Sequence, residues 1–522
     1  MTRDLATAGR KEWLGLAVLV LPVLLVSVTV TVLYFALPFL SADLAPTGSQ
    51  LLWIVDIYAF LLAGLLIVTG TLGDRIGRRK LLLIGAALFG VTSVVAAYAP
   101  SAELLIAARA LQGAAAASLM PPTLALIRNM FHDPGQRRMA VAIWAAGFAG
   151  GSVLGPLAGG WLLERFEWGS VFLVNVPVML LLLVLGPIVL PEYRDPSPGR
   201  FDLLSAALSL AVVLPLVYGI KQFAVGDFGP PALLGVAIGL AVGVVFLRRQ
   251  RMLRDPMLDL RLFAGRGFSM ALTTSTLAIF ALVGLFYFIA QYLQMVLGLR
   301  PFLAGLLTLP AAGAALAGSI LAAVIAQRVR PGYIMGGGMA LAAGGFLVMS
   351  QIEADSGRWL LVSGLFLLGA GIGAVQALAS DMIVAVAPPE RAGSASAVME
   401  ASTELGGALG IAILGSIGVA VYSEKFASLA PALPVEDAEV ARETLGGALG
   451  VAARLPEPAG AALLDVARSA FTSGMHVAAL LGATIMALTA VLATVLLRSV
   501  RMDTSIGGAG QRAQPATERR RP

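Results

Sequence analysis

The sequence predicts an all-α integral membrane protein: two six-helix bundles joined by an inserted helix pair, fourteen transmembrane helices in all. Three observations predict it. The chain has 522 residues, 58% of them hydrophobic and only 13% charged, whereas a soluble domain carries about 25% charged residues. Fourteen apolar stretches are each long enough to cross a bilayer core, which takes about 20 residues. A degenerate repeat also relates the two ends of the chain. Ala-Gln-Arg-Val-Arg-Pro-Gly at 326–332 follows the tenth stretch as Gly-Asp-Arg-Ile-Gly-Arg-Arg at 73–79 follows the second, with Arg328 opposite Arg75.

Taken in order, residues 1–13 form a basic N-terminus carrying Arg3, Arg10 and Lys11. The apolar run that follows extends to Phe39, too long for the about 7–15 residue core of a signal peptide, so it is predicted as a retained first span. Residues 14–190 make the first bundle, with spans at 14–39, 50–72, 81–99, 102–124, 139–163 and 170–190. The pair at 203–223 and 230–248 is the insertion. Residues 268–498 make the second bundle, with spans at 268–297, 304–326, 333–352, 358–380, 395–422 and 475–498. Segment 423–474 is the long loop, and its pieces 435–453 and 459–471 have helical spacing that predicts a hairpin at the membrane surface. Residues 499–522, rich in Gly, Gln and Arg, are predicted as a disordered tail.

Charge placement orients the spans. Of the 36 basic residues, 27 fall on the side of the N-terminus; eight, Lys221 among them, fall on the other, and Arg109 lies within a span. Basic loops stay cytoplasmic, which predicts a multi-pass cell-membrane protein with both termini inside. The net charge of +6 sits in these loops, where lipid and insertion explain it and no nucleic-acid partner is needed. There is no Cys, and the two histidines, His132 and His476, fall near span ends, so no metal site is predicted. No phosphate-binding Gly-x-x-x-x-Gly-Lys-Ser/Thr occurs, and no cofactor is implied. An enzyme or receptor would need a nucleophile–base set or a sizeable soluble domain, and neither is visible. Parallel six-span halves are instead a transporter architecture, with the substrate bound between them near the midplane.

Ionisable groups inside spans cost about 2.5–3.5 kcal/mol each and mark functional positions. Asp56, Arg109, Glu400 and Glu404 are read as lying well inside. Asp56 has Trp53 at i−3 and Phe60 at i+4 on one helix face, a setting for a lipophilic cation held by charge and ring, or for a pair with another helix. Glu400 and Glu404 stack one turn apart, and two such carboxylates resist joint ionisation in a low dielectric, which suits exchange of a proton for a cation. Arg109 stays charged, so it either tunes a carboxylate or holds backbone carbonyls. Tyr34, Tyr58, Tyr287, Gln291 and Gln294 are candidate cavity-lining groups, the last three at i, i+4 and i+7 on one face.

Several blocks then carry a resemblance. The turn Gly73, Asp74, Arg75, Gly77, Arg78, Arg79 reads as a gate latch through Asp74 and Arg78. Gly151, Gly155, Pro156, Gly159 and Gly160 give the fifth span a smooth, bent face for close crossing. With these stand Ala36-Leu37-Pro38, Arg109-Ala-Leu-Gln112-Gly113, Trp53-Ile-Val-Asp56-Ile-Tyr58, Phe172-Leu-Val-Asn175-Val-Pro177 and Asp255-Pro-Met-Leu-Asp259-Leu-Arg-Leu-Phe263. In order and at these spans they resemble the major facilitator superfamily, in its fourteen-span drug:proton antiporter branch, which includes exporters of quaternary ammonium compounds, dyes and fluoroquinolones. The resemblance implies a proton-coupled exporter of amphipathic cationic compounds, working by alternating access as a monomer. It assigns Arg109 to proton coupling and the fifth-span glycines to the antiporter motif. In that subgroup an Asp precedes Thr31 by two residues; here Thr29 stands in its place. A dedicated exporter of one natural product or antibiotic, with a neutral substrate, is the alternative.

Overall fold

The computed structural model describes residues 8–194, 202–224, 228–253, 256, 258–353, 357–386, 392–429 and 433–497. Arg3, Arg200, Arg254, Asp255, Arg391 and the predicted tail lie outside the described residues. Among those described, the secondary structure is helical throughout. The fourteen candidate spans are α1 (Arg10–Leu44), α2 (Gly48–Ile76), α3 (Arg78–Ala97), α4 (Ala102–Met130), α5 (Pro134–Leu163), α6 (Ser170–Val189) and α7 (Leu203–Ala224). They continue with α8 (Pro230–Met252), α9 (Arg266–Val296), α10 (Pro301–Ile325), α11 (Pro331–Met349), α12 (Arg358–Val386), α13 (Ala395–Leu429) and α14 (Ala459–Leu496).

Local chemistry sets where these helices begin and break. Thr47 caps α2 in a reciprocal pair, its hydroxyl accepting from Gln50 N at 3.1 Å while the Gln50 side chain accepts from Thr47 N at 2.9 Å. Asp133 caps α5, accepting from Gln136 N at 2.8 Å, with Pro134 at the first helical position. α4 breaks at Ser118 and Leu119, just before Pro121 and Pro122, which supply no N–H to the ladder. A π turn ends α9 at Tyr292–Val296, and another interrupts α13 at Ile411–Gly415.

The halves pack by the same plan. α1 lies on α5, α2 on α4 and α3 on α6; eight spans later α9 lies on α13, α10 on α12 and α11 on α14. Across the halves α2 meets α13 and α5 meets α10, again an equivalent pair, while α7 and α8 pack on each other with α7 against α2. The internal repeat in the sequence is therefore a repeat of helix packing.

The long loop differs from expectation. Segment 459–471 is the first part of α14, a continuous helix of 38 residues. Leu463, Ala467, Ala470 and Phe471 are buried on the same spacing as Gly474, Met475 and Ala478, so the apolar face runs on without a break and the backbone stays helical. The connection between α13 and α14 instead holds two short helices, Val435–Glu443 and Leu445–Ala452. They cover the neighbouring ends of α1 and α2. Gly446 presses on Ser41, Glu443 Oε2 accepts from Gly48 N at 2.9 Å, and Tyr422 donates to Ala441 O at 2.6 Å.

Candidate functional site

α2 turns Trp53, Asp56 and Phe60 toward one side, with the Trp53 and Phe60 rings 6.4 Å apart. The space beside Asp56 is filled by Lys221 of α7. Its Nζ lies 2.7 Å from Asp56 Oδ2 and 3.8 Å from the centre of the Trp53 ring, and the two charged side chains are 4% and 0% exposed. Lys221, counted from the sequence among the basic residues of the outer side, is a buried, paired charge inside the helix. Its long stem lets the ammonium reach along the helix to the carboxylate. In this structure Asp56 is paired with a neighbouring helix.

Arg109 is buried and heads a polar chain through the first bundle. Its Nε donates to Ile54 O at 3.2 Å, its guanidinium donates to Gln112 Oε1 at 2.7 Å, and it stacks 4.3 Å from the Tyr58 ring centre. Gln112 donates to Ser93 Oγ at 2.8 Å, Asn175 donates to the same oxygen at 3.3 Å, and Thr29 donates to Asn175 Oδ1 at 3.0 Å. No carboxylate touches Arg109 among the described residues; it holds a carbonyl, an amide and a ring. Thr29, at the position where the resembling exporters have an acid, ends this chain, which holds no carboxylate among the described residues.

Glu400 and Glu404 are half-buried on α13, the helix that crosses to α2. Neither has a hydrogen-bond or ion-pair partner among the described residues. Tyr34 lies within electrostatic range of Glu404, Arg109 and Asp56, and Tyr58 within range of Arg109 and Glu404. The structure thus brings Tyr34, Tyr58, Arg109 and Glu404 into one neighbourhood. Tyr34 meets Phe286 of α9 edge-on at 5.9 Å, and Gln294 donates to Phe35 O of α1 at 3.1 Å, so both tie α1 to α9. Gln291 turns back to Tyr287 O at 2.9 Å and lies with Tyr287 beneath the loop residues Glu443, Thr444 and Leu445.

At the opposite face, Asp74 and Arg78 pair at 2.8 Å. Arg78 N donates to Tyr193 O at 3.0 Å, and its guanidinium sits 4.8 Å from the Tyr193 ring. Arg79 N donates to Glu192 Oε1 at 3.1 Å and its side chain to Leu190 O at 2.9 Å. Gly77 has φ +111°, and an added Cβ would meet Glu192 Oε1 at 2.6 Å. All these contacts lie within the first half of the chain. Arg75, in the same turn, is exposed.

The α5 glycines do two jobs. Gly151, Gly155 and Gly159 take α1 at backbone distance, where added Cβ atoms would meet Leu24 O at 2.4 Å, Val28 O at 3.2 Å and the Val32 side chain at 2.3 Å. Gly160 takes α10, and Pro156 O in turn faces Gly305, whose Cβ would lie 2.5 Å away.

Sequence reasoning missed Lys221 and Glu192 as partners, and it gave Ser93, Gln112 and Asn175 no role. The signal for Lys221 was a lysine within the last turn of an apolar span; nothing local marked Glu192, whose contacts come from 113 residues away.

Known proteins share this organisation. The Major Facilitator Superfamily model matches residues 19–411. The chain is 45% identical over 488 residues to the multidrug efflux pump LfrA of Mycolicibacterium smegmatis, covering 94% of this chain and 97% of that protein. It is 37% identical over 467 residues to the methyl viologen resistance protein SmvA of Salmonella typhimurium, covering 88% and 93%. Among solved structures, an inward-facing bacterial homolog of the human lysosomal transporter Spinster superposes with a TM-score of 0.68 at 19% identity, covering 95% of this chain and all of that one. With fourteen candidate spans, a helix-packing plan repeated eight spans later and a family match across most of its length, this chain belongs to the Major Facilitator Superfamily of membrane transporters.

Proposed function

We propose that the protein exports amphipathic cationic compounds in exchange for protons, by alternating access between its two six-helix halves. The carrying observation is the pair Glu400 and Glu404: two half-buried carboxylates, one turn apart, with no partner among the described residues. A carboxylate in a low dielectric is held either by a proton or by a cation, so each site takes one when the other leaves. The names of the curated relatives, a multidrug efflux pump and a methyl viologen resistance protein, support drug export. The basic loops favour a cytoplasmic side for the face of Arg78 and for both termini. The α5 glycine face supports the rocking step, because small residues let helices slide and seal without clashing.

The test is dye efflux in inverted membrane vesicles under an imposed pH gradient. Glu400→Gln and Glu404→Gln should lose uphill, proton-driven transport. Uphill transport at the wild-type rate in the double variant rules the proposal out. Thr29 favours a second reading, an exporter dedicated to one neutral compound, since its hydroxyl ends a chain without a carboxylate where an acid would attract cations. A substrate panel in which dyes and antiseptics fail to compete selects that reading.

A further inference from the structure

We infer that Lys221 is a tethered cation: its ammonium occupies the Asp56–Trp53 site as a monovalent organic cation would, and such a cation binds there by displacing it. This rests on the reading of the chain as an exporter of cationic compounds and names where, on α2, the positive charge is received.

The geometry is that of cation recognition. A carboxylate oxygen at 2.7 Å and an aromatic face at 3.8 Å address the same nitrogen, the combination that holds quaternary and delocalised cations. As a structural rivet the pair is poorly made. Asp56 Oδ1 is buried and finds no partner among the described residues, and Asp56 Oδ2 at 2.7 Å is the one oxygen facing Lys221 Nζ. A buried ion pair holds firmly only when its remaining donors and acceptors are satisfied. A quaternary cation has no N–H to satisfy, so it suits this site better than the lysine does.

Lys221 can also leave. It stands on α7, in the inserted pair outside the two repeated bundles, and is held there by Val213, Leu214 and Val217 packing against Phe60, Ala408 and Ala412. A four-carbon stem can swing its charge away while this apolar contact stays in place. A cavity lies further along α2, past the ring of Phe60. Phe60, one turn along α2 from Asp56, lines this cavity of about 200 Å³ with Ala63, Val212, Val213, Phe246 and Leu405. Its apolar wall suits the body of an amphipathic cation whose charge points at Asp56. Neutral compounds have no reason to compete with Lys221.

The experiment measures tetraphenylphosphonium affinity of the full chain in lipid nanodiscs. If Lys221 holds the site nine-tenths of the time, removing its charge raises the available fraction and tightens binding about tenfold. Lys221→Met and Lys221→Gln should both show that gain, Gln keeping a donor beside Asp56 in case Met does not fold. Adding Asp56→Asn to either should erase it, and this neutral double variant should fold, because buried ion pairs tolerate replacement by neutral groups of similar volume. Affinity within twofold of wild type in the folded Lys221 variants overturns the inference and leaves the pair a rivet. Proton-driven efflux by the wild type is read separately: if it persists while the Lys221 variants bind unchanged, only the tethered cation falls, and if it is absent, the exporter reading falls with it.

Discussion

Gly160 of α5 and Phe302 of α10 touch backbone to backbone: a Cβ on Gly160 would lie 2.6 Å from Phe302 Cα. One turn further, Glu164 Oε1 accepts from Phe302 N at 3.1 Å, and below it Gly305 presses on Pro156 O. This contact joins the two halves at the face that also carries the short helices between α13 and α14. Such close approach is available only where side chains are absent. Gly160→Val should hold the helices apart, with transport falling by an order of magnitude or more, about 1.4 kcal/mol per tenfold, at unchanged membrane abundance. Because the chain has no Cys, a Glu164→Cys/Phe302→Cys pair cross-links cleanly. Its yield should drop when Gly160→Val is added; undiminished cross-linking and efflux in that background would refute this closure.

Gly77 sits at φ +111° against Glu192. Gly77→Ala should destabilise the protein by about 1–3 kcal/mol through backbone strain, and it also pushes Glu192 off Arg79. Thermal unfolding in detergent should show a lower Tm than Gly90→Ala, where an added Cβ meets only Met179 Cβ at 3.5 Å. Equal Tm values for the two variants would show that the turn tolerates a side chain.

Thr29→Asp should broaden export toward divalent cations. The new carboxylate would lie beside Asn175, whose amide can rotate to donate to it, at the end of the chain that leads to Arg109. Resistance profiles against mono- and bis-quaternary antiseptics check this, and an unchanged profile counts against it.

Asp202 supplies the pH dependence. Partial burial pushes its carboxyl up, but hydrogen bonds from Ser205 and Arg249 outweigh that and hold it below the usual carboxylate range. Ser205 N donates at 3.0 Å and the Arg249 guanidinium at 2.9 Å, tying α7 to α8. A carboxyl whose pKa is lowered by folding adds stability above its unfolded value, and that is lost as pH falls through the folded value. Asp202→Asn should therefore lower Tm relative to wild type near about pH 7, and the gap should close on acidification below the carboxylate range, about pH 3–4. A gap that stays constant across that range would mean the contact is not ionic.

Arg109→Lys should impair transport despite keeping its charge. Lysine presents no planar fork to hold Ile54 O and Gln112 together over the Tyr58 ring. Leaving a buried amide unsatisfied costs about 1–3 kcal/mol, so both Tm and efflux should fall. Wild-type efflux in Arg109→Lys would show that charge alone matters.

Sequence alone determined the fourteen spans, because twenty apolar residues between charged turns have one stable home, and it determined the paired halves, because the loop repeat survives as text. It also located Asp56, Arg109, Glu400 and Glu404, since a charge amid apolar residues stands out. It misjudged the segment 459–471, whose mixed composition looked like a surface hairpin until its buried face was seen to continue α14. Partners were decided only by the tertiary structure. Whether Asp56 is free or paired depends on α7 reaching it from 165 positions along the chain, and the place of Lys221 in the last turn of an apolar span marks a charge there without naming its partner. The same holds for Glu192 against Gly77 and for Thr29 against Asn175. Hydropathy reports the environment of one helix at a time, whereas these contacts are set by how neighbouring helices rotate and approach, a property of packing that no single segment encodes.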